Sequence, residues 1–197
     1  MITDDTQTSR MRLLTAGKNL FSRFGYEQTS TATIAREAGT SESQLVRYFS
    51  GKSGLLDAIF NESWNGLNEV INHTIAASEH GREAILGVFA LMIGAFAQDP
   101  EVASIFMFEG RRVRGNEVAL SKGFMQFVDL VCKLIQRGQS DGSFRSDVND
   151  VVLASAMLGA AEGMIRDRLI ARRVGKDAPF DDDSVRRVFE AMVNGLT

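Results

Sequence analysis

Apolar residues recur at every third or fourth position along almost the whole chain, a period that fits helices and little else. Leu13, Gly17, Leu20, Phe21 and Phe24 share one face of a first helix, which Gly25 stops. Residues 29–38 and 41–49 read as two short helices with only Gly39-Thr40 between them. From Lys52 a long helix carries Leu56, Ile59, Phe60, Leu67, Val70 and Ile71, and the next places Ile85, Val88, Phe89, Met92 and Phe96 at the same spacing. A short piece follows Pro100, then a helix with Phe124, Phe127, Val128, Val131 and Leu134 that ends at the turn Asp141-Gly142-Ser143. Residues 148–171 and 182–195 complete the chain, with only two prolines to interrupt it. No alternating pattern of the strand type is present, so the expected fold is all-α with about nine helices.

Composition narrows the function classes. A chain of 197 residues that is 44% hydrophobic and 24% charged is ordinary for a globular protein with a sizeable core. The apolar run at 151–165 is broken by Ser155 and Glu162 and is too short to span a bilayer. The opening Met1-Ile2-Thr3-Asp4-Asp5 is acidic where a signal peptide needs a basic start and an apolar core. One cysteine, Cys132, builds no intrachain disulfide, and two histidines supply no zinc cluster. The expectation is a cytoplasmic protein with no metal, no cofactor and no membrane partner. No P-loop, strand-linked GxGxxG, HExxH or GxSxG is present, and His73 and His80 have no clustered acid or nucleophile, so no enzyme is expected. The net charge of −3 is uneven: residues 1–56 carry +2 and the remainder −5. A mildly basic head on an acidic body suits local contact with a phosphate backbone.

The specific signal lies in residues 31–52. Ile34, Ala35 and Ala38 give a short helix its buried side, with alanines small enough for close packing, and Gly39 ends it. Ser41-Glu42-Ser43-Gln44 matches a capping box, in which Ser41 caps the next helix and Gln44 reaches back. Leu45 and Phe49 then point inward, leaving Ser43, Gln44, Arg47 and Tyr48 outside, where they can hydrogen-bond to base edges or phosphates. By itself this pattern fits a helix-turn-helix and also an ordinary αα-corner with a polar outer face.

The wider stretch decides between them. Residues 13–56, LLTAGKNLFSRFGYEQTSTATIAREAGTSESQLVRYFSGKSGLL, closely resemble the DNA-binding domain of TetR-type regulators. The matching pieces are the LF and FGY end of the first helix, Thr29-Ser30, Ile34-Ala35, Ala38-Gly39, Leu45, Tyr48-Phe49, Lys52 and Leu55-Leu56, in order and at the family's spacing over about a quarter of the chain. The resemblance implies a DNA-binding domain at 1–51 and a helical regulatory domain at 52–197. It implies a ligand-responsive homodimeric repressor that releases a near-palindromic site on double-stranded DNA when a small, largely apolar effector binds. Glu42, Ser43, Gln44, Arg47 and Tyr48 fall at positions that face the major groove, Lys52 at a phosphate-contacting lysine, and Thr29 or Ser30 at a phosphate contact from the second helix. Val46 departs from the pattern, standing where the family usually has a tyrosine.

The regulatory half yields wider sets of candidates. Phe60, Trp64, Phe89, Met92, Phe96, Phe106, Phe108, Phe124, Phe127, Met157 and Met164 are candidates to line a pocket for a bulky apolar ligand, although most of them must form ordinary core. Glu109, with Arg111, Arg112 and Arg114, either anchors a charged ligand group or forms a solvated helix end. Residues 151–165 are apolar on almost every side and contain Gly159 and Gly163 four apart, and the last helix has its own apolar stripe. Either these two helices complete the monomer core, or they form a dimer interface through Val151, Leu158, Gly159, Gly163, Ile165, Val185, Val188, Phe189 and Met192. The entry Asp141-Gly142-Ser143-Phe144 followed by Asp147 resembles the family's lead into two dimer-forming helices.

Overall fold

The structure is a computed structural model that describes residues 3–109, 111–114, 117–120 and 122–196, with side chains for 8–109 and 123–196. Nine helices and one hairpin make up the described residues: α1 (Thr3–Phe24), α2 (Thr31–Glu37), α3 (Glu42–Phe49), α4 (Lys52–Ala77), α5 (Gly81–Gln98), α6 (Pro100–Glu109), β1 (Arg111–Arg114), β2 (Glu117–Leu120), α7 (Lys122–Ser140), α8 (Asp150–Arg173) and α9 (Asp182–Asn194). The strands are antiparallel, with Arg111 opposite Leu120 and Arg114 opposite Glu117. Sequence period does not find them, because four residues are too few to display an alternation.

The chain divides into two compact units, residues 1–65 with 104–121 and residues 66–103 with 122–197. The division falls inside α4 and not at its start, since Leu55, Leu56, Ile59 and Phe60 all bury in the first unit's core. That core joins them to Leu13, Leu20 and Phe21 of α1, Ile34 and Ala38 around α2, Leu45 and Phe49 of α3, and Ile105 of α6. Gly17 allows α1 to approach α4 closely, because a Cβ there would sit 2.8 Å from Leu55 Cδ2. Phe24 does not join its expected face: it is 54% exposed, and the Arg23 guanidinium lies 5.1 Å from its ring centroid. The helix stops at this residue, and Gly25 turns the chain at φ +81°, which only glycine adopts at no steric cost.

In the second unit α5 is the central helix, packed by α7, α8 and α9. It is 18 residues long with a mean hydropathy of 1.3, enough by length and composition to cross a membrane, unlike the run at 151–165. Here that apolarity serves the core: Ile85, Val88, Phe89, Met92 and Phe96 are buried, and the Phe89 ring stacks on Phe189 of α9 at 4.8 Å. The Asp141-Gly142-Ser143 turn forms as expected, with Gly142 at φ +77°. The Asp141 carboxylate accepts the Gly81 and Ser143 N–H groups at 2.7 and 3.0 Å, so the turn also caps α5. Hydrogen bonding from Ser143 holds the Asp141 carboxyl below the usual carboxylate range, helped by the Gly81 N–H and by His80, with its Nδ1 3.9 Å away. Arg137 of α7 donates to the carbonyls of Ile75, Ser78 and Glu79, satisfying the C-terminal end of α4.

Candidate nucleic-acid interface

The turn between α2 and α3 is set by backbone chemistry. Gly39, at φ +61°, donates to the Arg36 carbonyl at 3.1 Å, and Thr40 donates to the Ala35 carbonyl at 2.9 Å. These are the two bonds of a Schellman motif, which requires a left-handed residue just past the helix end. The chain re-enters a helix two residues later, with Ser41 capping α3 by accepting the Gln44 N–H at 3.3 Å. Leu45 and Phe49, 0% and 6% exposed, fix α3 to the core. At its far end Ser50 takes a left-handed conformation at φ 58°, and Gly54 lies so close to α3 that a Cβ there would sit 1.7 Å from the Phe49 carbonyl oxygen.

The expected base-facing set is brought together on this one outward face. Ser43 and Arg47 are exposed, and Gln44 and Tyr48 are half-buried at its flank. The Arg47 guanidinium donates to the Tyr48 hydroxyl at 2.8 Å and lies over its ring, 4.9 Å from the centroid, so the two side chains hold each other. Glu42 is exposed, and its carboxylate accepts the Thr31 hydroxyl at 2.6 Å, tying the start of α3 to the start of α2. Gln44 does reach back, but to the Thr40 hydroxyl and not to the Ser41 N–H; Thr40 in turn accepts that N–H at 2.6 Å. The capping box thus closes through one extra side chain. Thr31 and Thr40 carried no signal as supports, because their partners lie eleven and four residues away on other turns of the fold.

Two residues expected at phosphate contacts have partners within the protomer. Thr29 is 3% exposed, and its hydroxyl donates to the Gly25 carbonyl at 2.8 Å, so the side chain packs and caps within the core. Ser30 is exposed and caps α2, accepting the Thr33 N–H at 3.1 Å, which leaves it as the surface member of the pair. Lys52 turns back onto the chain and donates to the carbonyls of Tyr26 and Thr29 at 2.8 and 2.9 Å. Its ammonium also lies 4.1 Å from the centroid of the Tyr26 ring. A cation in the first turn opposes the helix dipole, and these two carbonyls and the ring supply the compensating negative charge.

The other candidate sets separate. In the second unit a cavity of ≈ 620 Å³ is lined by Ile93 and Phe96 of α5, Met164 and Leu169 of α8, Phe180 and Val185, with Arg168, Arg172 and Lys176 among the charged lining residues. Of the expected ligand set only Phe96 and Met164 line it. Phe89, Met92, Phe127 and Met157 are buried in the second unit, and Phe124 is half-buried. Phe60 and Trp64 are buried in the first unit with Phe106 edge-on to both at 4.8 and 5.3 Å, while Phe108 is 43% exposed. Glu109 accepts the Tyr26 N–H at 2.9 Å, so it caps backbone in place of anchoring a ligand; the side chains of Arg111, Arg112 and Arg114 lie outside the described residues.

The expected dimer set splits by face. Leu158, Ile165, Val185 and Phe189 are each no more than 6% exposed and belong to the protomer's own core. Val151 and Val188 are 61% and 46% exposed, Gly159 is exposed, and Gly163 and Met192 are half-buried. A Cβ at Gly159 would meet nothing within 4 Å, so nothing in the protomer requires a glycine there.

Two short helices at a glycine turn, the second anchored by two apolar residues and presenting polar side chains outward, define a helix-turn-helix DNA-binding regulator. Residues 13–59 match the profile of the family described as "Bacterial regulatory proteins, tetR family". The transcriptional regulator UidR of Escherichia coli K12 is 23% identical over 192 residues, covering 98% of this chain and 94% of that protein. The transcriptional repressor KstR2 of Rhodococcus jostii is 28% identical over 160 residues, covering 79% of this chain and 78% of that protein. The transcriptional regulator FadR from Bacillus subtilis, crystallised in complex with stearoyl-CoA, has the same fold at a TM-score of 0.81 and 17% identity, covering 95% of this chain and 99% of that one. Over residues 13–59 the chain thus carries a DNA-binding domain of the TetR type, the kind found in the regulators it is similar to.

Proposed function

We propose that this protein is a ligand-responsive repressor that binds a near-palindromic operator as a homodimer, with α3 of each copy in the major groove. The observation that carries this is the outer face of α3, where Ser43, Gln44 and the Arg47–Tyr48 unit stand on a helix held from behind by Leu45 and Phe49. Functionally, residues 1–51 would read DNA and residues 52–197 regulate, in the cytoplasm and by binding alone, without a catalytic step. For the dimer, the exposed Val151, Gly159 and Val188, with the half-buried Gly163 and Met192, offer apolar and small residues that the protomer does not fully cover, and glycines there admit a second backbone at close range. The effector would occupy the cavity beside α5, α8 and α9, where Ile93, Phe96, Met164 and Leu169 suit a largely apolar molecule. A stearoyl-CoA complex of a protein with the same fold supports that class of ligand. Because an effector shifts DNA affinity only by its differential affinity for two states, it must favour a dimer whose recognition helices are not ~34 Å apart, one DNA turn.

The test is selection of tight-binding duplexes from a random pool at two salt concentrations, with the full chain and with Arg47→Ala. A two-fold-symmetric site, steep loss of affinity as salt rises, and weaker binding by R47A are expected. Enrichment of no sequence at low salt would overturn the reading, and unchanged specific binding by R47A would remove Arg47 from the interface.

A further inference from the structure

On the outer face of α3 the polar side chains already have partners within the fold. Glu42 is held by Thr31, Gln44 by Thr40, Arg47 by Tyr48, and the Ser43 hydroxyl lies 3.1 Å from that of Ser41. Val46 has no such tie. It is 55% exposed, one turn on from Glu42 and Ser43 and beside Arg47, with its isopropyl group in water. Single exposed apolar residues are common on protein surfaces and need no explanation there. On a helix that enters the major groove the position is more constrained. An isopropyl group neither donates nor accepts, so it is indifferent or adverse to every base-edge atom except one: the C5-methyl of thymine, the apolar feature that the major groove presents.

We propose that Val46 is a specificity-determining residue that reads a thymine methyl, so that each operator half-site carries a thymine at one fixed position under α3. This rests on the DNA-binding reading above and goes beyond it in naming the base. It also accounts for the valine where the family usually has a tyrosine. A phenolic hydroxyl, which any phosphate could satisfy without sequence information, is exchanged for an apolar group that can discriminate.

The experiment starts from the tightest duplex recovered by the random-pool selection and replaces each symmetry-related pair of thymines by uracil, which removes only the methyl groups. Affinity is measured for the full chain and for Val46→Ala, a change on an exposed helix surface that leaves Leu45 and Phe49 in place. At one position uracil should weaken the wild-type protein about fourfold per methyl lost, about fifteenfold for the pair, from the burial of one methyl-sized group each. V46A should bind the uracil and thymine duplexes within about twofold of each other at that position alone, since the double-mutant cycle removes the contact from both sides. 5-Bromouracil, which restores a group of similar size, should restore wild-type affinity. Uracil penalties that are equal for the two proteins at every position, or no penalty anywhere, would overturn the assignment of Val46 while leaving DNA recognition standing. Failure to enrich any duplex would overturn both.

Discussion

Replacing Lys52 by methionine separates a structural role from a phosphate-binding one. The change keeps the length and most of the apolar stem but removes the ammonium that joins the Tyr26 and Thr29 carbonyls across 26 and 23 residues of chain. Hydrogen bonds to a charged donor contribute about 1.5–3 kcal/mol each when buried. Lys52 is half-buried, which lowers that figure, and the Tyr26 cation–π contact adds about 0.5–1 kcal/mol. The loss expected is about 2–4 kcal/mol, reduced slightly by removal of a cation from a helix N-terminus. Trp64 is the chain's single tryptophan and is buried in the same unit, so its fluorescence during urea unfolding reports this loss directly. With an m-value of about 2 kcal/mol/M the midpoint should fall by about 1–2 M. DNA affinity, measured where both proteins are folded, should keep its salt slope. A midpoint unchanged to within about 0.3 M, together with a salt slope reduced by about one unit, would refute the reasoning and return Lys52 to the phosphate backbone.

Other substitutions probe single contacts. Gly54→Ala forces a Cβ to 1.7 Å from the Phe49 carbonyl oxygen and should cost more than about 3 kcal/mol, whereas Gly66→Ala, also in α4 with nothing within 4 Å, should stabilise by up to about 1 kcal/mol; paired urea titrations distinguish the two. Asp141 has a folded pKa below its ordinary value, so its stabilising contribution is complete above about pH 4 and is lost as pH falls through the lower folded value. Asp141→Asn should therefore flatten the acid limb of the stability–pH curve followed by circular dichroism, and a limb as steep as in the wild type would count against the cap. Burial, followed by the nearby Asp150 and Asp129 charges, pushes the Cys132 thiol up, so iodoacetamide at pH 8 should alkylate it more slowly than free cysteine.

What the sequence made legible follows from range. The three-to-four spacing depends on each helix alone, and it located α1 through α9, although α1 begins at Thr3, ten residues before Leu13, the first position named from the pattern. Ser41 was readable as a cap because its acceptor geometry is local. The outward set on α3 followed from the phase fixed by Leu45 and Phe49. The inward turn of Thr29 and Lys52 was not readable, since it depends on carbonyls left open where α1 hands over to α2. Phe24 was misplaced because the period says which face a residue occupies and not that the helix ends there. The α8 and α9 stripes were harder still: both faces of α8 are apolar, so only packing could tell Leu158 and Ile165 from Val151 and Gly159.

The anchoring of α3 has an evolutionary consequence. Leu45 and Phe49 carry its attachment to the core, and the Thr31–Glu42 and Thr40–Gln44 ties hold its first turn. That leaves Ser43, Val46 and Arg47 as exposed positions whose identity the protomer's folding scarcely constrains. After a gene duplication these three letters could drift while the chain still folded, each combination addressing a different stretch of the genome. On the proposed reading, operator preference and foldability would be inherited on separate residues, so that one scaffold could diversify its targets faster than its architecture.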